Sequence, residues 1–453
     1  MSDNSPNIYR RAFVGLTFLF FMWGFMTALN DILIPYLQDA FTLTHTKAML
    51  IQFAFFTSYF IGSVIYFIIS VYKGDPINKI GYKKGIIIGL IVSGIGALLF
   101  YPAAQFHMYG FFLSALFIMG LGFTLLQIAA NPYVAILGSP DSASSRLNLA
   151  QGFNSLGTTV APILGGYLVF IFFKGSTGAD AVKVPYLVFA LIFMIMAFAI
   201  SKTPLPRFTN PDEVKPGFQA LKYPQLVFGM IAIFMYVGGE VSIGSMLISY
   251  ITLPEIAGIN AAEASIYVSI YWGGQMIGRF LGAISLSDTN NLKKYISMPL
   301  ISIAAYVIIG LTTSFASANI YLVFLILNLM GFFIGKSLPN RTLYIFAFIN
   351  IIFLAIALST TGEIALWTII GIGLFNSIMW SNIFTLAISG LGKYTSQGSS
   401  LLVMMILGGA LLPLIMGMIA DGYGVHISFI VPVASYIYIA FYGIRGYKPK
   451  NIS

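Results

Sequence analysis

Residues 108–137 read MYGFFLSALFIMGLGFTLLQIAANPYVAIL, thirty positions without a Lys, Arg, Asp or Glu. A helix needs about 20 mostly apolar residues to span a bilayer core about 30 Å thick, so this stretch crosses with length to spare. A strand is excluded because the run is continuously apolar and not a ten-residue alternation. Its two amides, Gln127 and Asn131, fall at i and i+4 and share one face of the helix, and Pro132 follows directly.

Thirteen stretches of the same kind flank it. The first half has 11–38, 48–72, 84–103, 146–173 and 184–201; the second has 224–252, 261–286, 295–314, 317–336, 341–359, 364–391, 397–420 and 426–445. The first stretch is too long for a signal-peptide core and has no small-residue cleavage site, so it is expected to stay. Composition agrees. Of 453 residues 58% are hydrophobic and 8% charged, against about 25% charged in soluble domains, which excludes a water-soluble globular enzyme. The formal charge of +9 does not point to nucleic acid, because the chain lacks the polar surface on which such binders concentrate their charge. Cysteine is absent, and His45, His107 and His426 are too scattered to form a ligand motif. No cofactor or metal site is expected. No P-loop, HExxH or Gly-x-Ser-x-Gly motif appears, so uphill work would draw on an ion gradient. The expected fold class is an all-α polytopic membrane protein.

Loop cations give the orientation. With the N-terminus in the cytoplasm, nineteen Lys and Arg fall on the inner side and only Lys47, Lys174 and Lys183 on the outer, while Arg279 sits toward the inner end of the eighth stretch. Both termini are then cytoplasmic. The long inner loop Lys202–Tyr223 is rich in proline and charge, and reads as a linker. The expected division is 1–203, a linker at 204–223, and 224–453. Faint repeats connect the halves. Gly120-Leu-Gly122 has Asn131 nine residues after its second glycine, and Gly371-Ile-Gly373 has Asn382 at the same offset. Tyr59-Phe-Ile-Gly62-Ser63 is echoed by Gln275-Met-Ile-Gly278-Arg279, and the loops after these carry Lys83-Lys84 and Lys293-Lys294. Duplicated halves are a common transporter plan. Six spans against eight then imply a two-span insertion in the second half.

Charge in hydrocarbon costs about 2.5–3.5 kcal/mol for a central Asp on insertion scales. Of the 14 acids, twelve fall in loops, tails or helix ends. Asp31 and Glu240 lie well inside apolar stretches, the latter in Gly238-Gly239-Glu240. Each reads either as a helix-packing polar group or as a mark of an ion or substrate path, and the second reading is favoured. Asn30, Gln127, Asn131, Gln151, Asn154, Gln275 and Asn376 sit at similar depth, with Trp272 and Trp380. Amides offer paired donors and acceptors suited to hydroxyl-rich ligands, and an indole offers a flat apolar face to a sugar ring. The alternative is interhelical glue, worth about 0.6 kcal/mol per bond.

Asn78-Lys79-Ile80-Gly81-Tyr82-Lys83-Lys84 resembles the Asp-Arg-x-Gly-Arg-Lys loop of the major facilitator superfamily, with Asn78 in place of the acid and Asp75 placed to substitute. Leu29-Asn30-Asp31-Ile32-Leu33-Ile34-Pro35, Gln127-Ile-Ala-Ala-Asn131-Pro132-Tyr133, Arg146-Leu-Asn148-Leu-Ala-Gln151-Gly-Phe-Asn154-Ser155 and Leu391-Gly-Lys-Tyr-Thr-Ser-Gln397-Gly-Ser-Ser400 resemble its fucose/glucose/galactose–cation symporters, in the glucose/galactose branch. The resemblance spans nearly the whole chain. It implies a twelve-helix core of two six-helix bundles whose first, fourth, seventh and tenth helices line the cavity. The inserted pair then lies at about 288–337. Asp31 matches the aspartate the family uses in substrate and proton coupling, whereas Gln127 stands where the fucose branch has a glutamate. Glu240 would supply the second carboxylate from the other half.

Together these readings imply symport of a hexose such as glucose or galactose across the bacterial cytoplasmic membrane by alternating access. Asp31 and Glu240 are the cation-coupling pair, with a proton as first choice and sodium as the alternative. Asn30, Gln127, Asn131, Gln151, Asn154, Trp272, Gln275, Asn376 and Trp380 are the candidate sugar contacts. A monomer in the lipid bilayer is expected. An exporter on the same fold would carry a more apolar, aromatic cavity, a sugar sensor would need no titratable group, and an intramembrane enzyme is the weakest reading.

Overall fold

A computed structural model describes residues 13–28, 41–42, 45–167, 182–203, 205–206 and 217–449. Among these residues fourteen long helices follow one another. The first six are α1 (Phe13–Ala28), α2 (His45–Lys73), α3 (Tyr82–Gln105), α4 (Tyr109–Ile136), α5 (Ala143–Tyr167) and α6 (Lys183–Lys202). Then come α7 (Pro224–Ile251), α8 (Ala261–Ser285), α9 (Asn291–Thr312), α10 (Phe315–Gly335), α11 (Pro339–Ser359), α12 (Gly362–Ile388), α13 (Gly392–Tyr423) and α14 (Val425–Gly446). Eleven described helices are long and apolar enough to cross a membrane by length and composition. In hydrocarbon every backbone group must be satisfied within the segment, which is why such runs become helices.

Local chemistry sets the helix ends. Asn260, Asn290 and Ser314 accept from the backbone N–H three residues on, and so cap α8, α9 and α10. Pro224 and Pro339 open α7 and α11, where a missing N–H costs nothing. α10 ends on Lys336 and Ser337 with φ of 51° and 58°, a left-handed stop without glycine.

The chain forms two compact units. One gathers Met1–Gly138, Phe153–Ala220 and Gly390–Met404; the other gathers Ser139–Gly152, Leu221–Ser389 and Met405–Ser453. In the first, α4 packs on α2 and α3, and α3 also packs on α6. In the second, α12 packs on α8 and α11, and α11 also packs on α14. The same pattern appears twice once α9 and α10 are passed over. Glycines lie at helix contacts in both. Gly62 of α2 lies against Leu121 and Thr124 of α4, and Gly278 of α8 lies against Leu374 and Ser377 of α12.

Four spans depart from their expected continuity: α3 at Leu99, α13 at the tighter turn Met405–Leu407, α14 at Phe429, and α12, which bears on the site. The stretch read as 364–391 is interrupted at Ser377–Ile378, between helical pieces Gly362–Asn376 and Met379–Ile388. Neither glycine nor proline marks the break. The Ser377 hydroxyl donates back to the Leu374 carbonyl (2.8 Å), a bond that bends helices, at the point where Gly278 presses in.

Candidate functional site

In the first unit the expected amides gather around α4. Gln127 and Asn131 are buried, and the Asn131 amide donates to Gln127 Oε1 at 3.4 Å, as the i, i+4 spacing requires. Tyr59 of α2 shares hydrogen bonds with Gln127 and with Trp23 of α1. Asn154 of α5 is half-buried and donates to the Phe20 carbonyl at 3.0 Å. Gly24 permits that contact, since a Cβ there would stand 2.1 Å from the Asn154 carbonyl. The described part of this cluster is neutral. Asn30 and Asp31 lie outside the described residues.

The second unit is charged. The Tyr236 hydroxyl, one turn before Glu240 on α7, donates to Glu240 Oε1 at 2.6 Å. Arg279 of α8 stands 3.9 Å from the same oxygen, with both side chains about seven-eighths buried (12% and 13% exposed). The guanidinium also donates to Gln275 Oε1 at 3.2 Å and hydrogen-bonds the Tyr236 hydroxyl. Arg279 Nε donates to the Ser377 carbonyl at 3.3 Å, a backbone oxygen at the α12 break. A carboxylate withdrawn from water needs a cation and hydrogen-bond donors to remain charged, and this arrangement supplies both. Gln275 faces Glu240 as well, although its Nε2 makes no hydrogen bond of ordinary geometry.

A second layer supports the first. Tyr271 Oη approaches the Glu240 carbonyl at 3.5 Å and accepts from Asn376 Nδ2 at 3.1 Å. Asn376 Oδ1 in turn accepts from Tyr436 of α14 at 2.7 Å and Asn350 of α11 at 3.0 Å. Asn376 is thus fully buried and bonded to three side chains. Trp272 is 41% exposed, edge-on to Tyr271, and packs on Gly244. Trp380 is buried beside Phe384, and its Nε1 has no hydrogen-bond partner among the described residues. Gln151 is also buried in this unit.

Four residues of this cluster were not among the expected polar groups: Tyr236, Arg279, Asn350 and Tyr436. Two left a readable signal, because Tyr236 precedes Glu240 by four and Gln275 precedes Arg279 by four. Nothing in one sequence places Tyr436 or Asn350 against Asn376.

At the loop between α2 and α3, Asp75 caps the short helix Pro76–Ile80 through Asn78 N (3.0 Å). It also accepts from Tyr66 Oη at 2.8 Å and from the Ser396 hydroxyl near the start of α13. Burial pushes the Asp75 carboxyl above its ordinary range, opposed by those hydrogen bonds.

Known proteins resemble the whole chain. A family model described as Major Facilitator Superfamily matches residues 16–342. A glucose/galactose transporter of Brucella abortus is 44% identical over 452 residues, covering 98% of this chain and 96% of that protein. The L-fucose-proton symporter of Escherichia coli is 31% identical, covering 91% of this chain and 87% of that one. Among solved structures, FucP, a Major Facilitator Superfamily transporter in the outward conformation, superposes with a TM-score of 0.76 at 30% identity, covering 96% of this chain and 98% of the other.

Proposed function

We propose a hexose as the cargo of this chain, which belongs to the major facilitator superfamily and, within it, to the fucose/glucose/galactose–cation symporter family. It is a transporter and not an enzyme, and a multi-pass membrane protein. The proposed reaction is symport of glucose or galactose with a cation into the cell by alternating access, with both termini cytoplasmic. The observation that carries the coupling reading is Glu240, an acid inside an apolar helix and held by Tyr236 and Arg279. Carboxylates at such depth mark ion and substrate paths. Coupling requires that cation occupancy at Asp31 or Glu240 change sugar affinity or the balance of orientations. A proton is the first choice because a single carboxylate binds it, whereas sodium needs several oxygens.

Sugar contacts are assigned to Asn30, Gln127, Asn131, Gln151, Asn154, Trp272, Gln275 and Trp380. Gln275 Nε2, which faces Glu240 without a hydrogen bond of ordinary geometry, and Trp380 Nε1, a buried donor with no partner among the described residues, suit a hydroxyl-rich ligand. Asn376 acts through Tyr271, because its amide is occupied by protein groups. The inserted pair is α9–α10. Its entry and exit meet where Ser337 Oγ donates to the Ser285 carbonyl at 2.6 Å, and the buried Lys294 donates to both residues. Uptake of labelled glucose and galactose by proteoliposomes tests the reading, with sugar counterflow expected in the wild type. Absence of counterflow for both sugars contradicts it.

A further inference from the structure

Arg279 occupies a position that a purely structural ion pair would not need. Its Nη2 stands 3.9 Å from Glu240 Oε1 while the same nitrogen donates to Gln275 Oε1 at 3.2 Å, and its Nε donates to the Ser377 carbonyl at 3.3 Å. Tyr236 meanwhile donates to that same Glu240 oxygen at 2.6 Å. The cation therefore has neutral acceptors on which to rest beside the carboxylate, and the carboxylate has a neutral donor beside the cation. Either group has partners when the other is engaged elsewhere. The titratable groups facing Glu240 are Tyr236 on its own helix, Tyr271 and Arg279 from α8 and Tyr436 from α14. α12 presents the neutral Asn376, and α13 presents Gly408 and Leu412 beside Gly238. Among the described residues, Arg279 is thus the cation that faces Glu240.

We propose that Arg279 is a tethered internal counter-ion that competes with the coupling cation for Glu240, and so drives its release at the end of each transport step. The inference rests on Glu240 being a coupling group. An ionised carboxylate with no replacement cation is costly in a buried site, so its proton or sodium leaves only if another positive charge takes its place. A swing of about an ångström brings the Nη2 of Arg279 from 3.9 Å into charge-assisted hydrogen-bond range of Glu240. That swing draws on the bonds to Gln275 and Ser377, which links cation release to the break in α12 and to a candidate sugar contact. Arg279 is a positioning residue in this scheme, since it acts through Glu240.

The test compares wild type, Arg279→Gln, Arg279→Lys, Glu240→Gln and the Glu240→Gln/Arg279→Gln pair in proteoliposomes. Exchange of labelled galactose at equal concentrations across the membrane requires no net cation release. Accumulation against a gradient, driven by imposed proton or sodium gradients, does. Arg279→Gln is expected to lose accumulation by about tenfold or more relative to its own rate of exchange. Raising the pH on the release side, or removing sodium there, restores part of the loss, and Arg279→Lys retains part of the wild-type rate. If Arg279→Gln accumulates sugar with wild-type ion dependence while Glu240→Gln does not, the counter-ion role is refuted and the coupling role of Glu240 stands. If Glu240→Gln itself accumulates like wild type, the coupling assignment of Glu240 fails, and the role of Arg279 with it. Should Arg279→Gln fail to fold, the doubly neutral pair and Arg279→Lys decide. A shifted ion dependence in Arg279→Lys, with exchange kept in the pair, supports the proposal, and an unshifted one overturns it.

Discussion

α4 and α12 carry the same signature, a Gly-x-Gly pair with an asparagine nine residues after the second glycine, and put it to different use. α4 runs unbroken from Tyr109 to Ile136 through Pro132, and Asn131 bonds Gln127 on its own helix. α12 breaks at Ser377–Ile378, and its buried asparagine bonds groups on other segments. Asn382 donates to the Pro339 carbonyl at 3.0 Å and accepts from Asn148 at 3.1 Å. Around α4 the described polar groups are neutral; beside the break in α12 stand Arg279 and Glu240. Duplication therefore fixes where a polar group sits along a helix and leaves open what it bonds. The break decides that in the second unit, because it gives a cation a backbone carbonyl to hold.

The largest expected break in this contrast is electrostatic. Arg279→Leu strands Glu240 without its cation and is expected to cost about 3–5 kcal/mol, read as a drop in the thermal unfolding temperature of the purified protein. Gln127→Leu in the neutral cluster is expected to cost about 1 kcal/mol. Equal losses would mean that the ion pair is no more demanding than an amide.

Packing comes next. A Cβ at Gly278 would stand 2.2 Å from the Ser377 hydroxyl and 2.6 Å from the Leu374 carbonyl, whereas at Gly62 the nearest atom is a Thr124 methyl at 3.0 Å. Gly278→Ala is expected to cost about 1–3 kcal/mol and Gly62→Ala less, by the same unfolding measurement. The reverse order would contradict the closer packing at Gly278.

The smallest effect concerns Asp75, a buried acid whose partners are hydroxyls and a backbone amide and not an arginine. Its folded-state pKa is raised, so the folded protein holds this proton more tightly than the unfolded chain. Stability is then lost as pH climbs from the ordinary aspartate range through the folded value. Asp75→Asn keeps an acceptor for Tyr66 and Asn78 and should flatten that part of the pH–stability curve. A curve unchanged by the substitution would contradict the assignment.

Much of the fold was legible because the apolar runs are long and, over the described residues, fall on helices. Asp75 was legible as the acid nearest Asn78 in the loop between α2 and α3; among the described residues its partners are hydroxyls and backbone amides and not a cation. The α12 break was not legible, because stretch 364–391 holds no proline and neither Ser377 nor Ile378 is a glycine. Lys294 reads as a loop cation in Lys293-Lys294, yet it is buried against Ser285 and Ser337. The candidate site was half legible. Glu240 stands out as an acid in hydrocarbon, and Gln275 with Arg279 as an i, i+4 pair. That α7 and α8 bring them together depends on packing that no local pattern encodes.

The most direct test of the central claim is gradient-driven uptake of labelled glucose and galactose into proteoliposomes holding wild type, Asp31→Asn or Glu240→Gln. The wild type should accumulate hexose against its gradient when an inward proton or sodium gradient is imposed, and each variant should retain exchange but lose accumulation. Wild-type protein that moves neither sugar, or a Glu240→Gln variant that still accumulates hexose, would contradict the account.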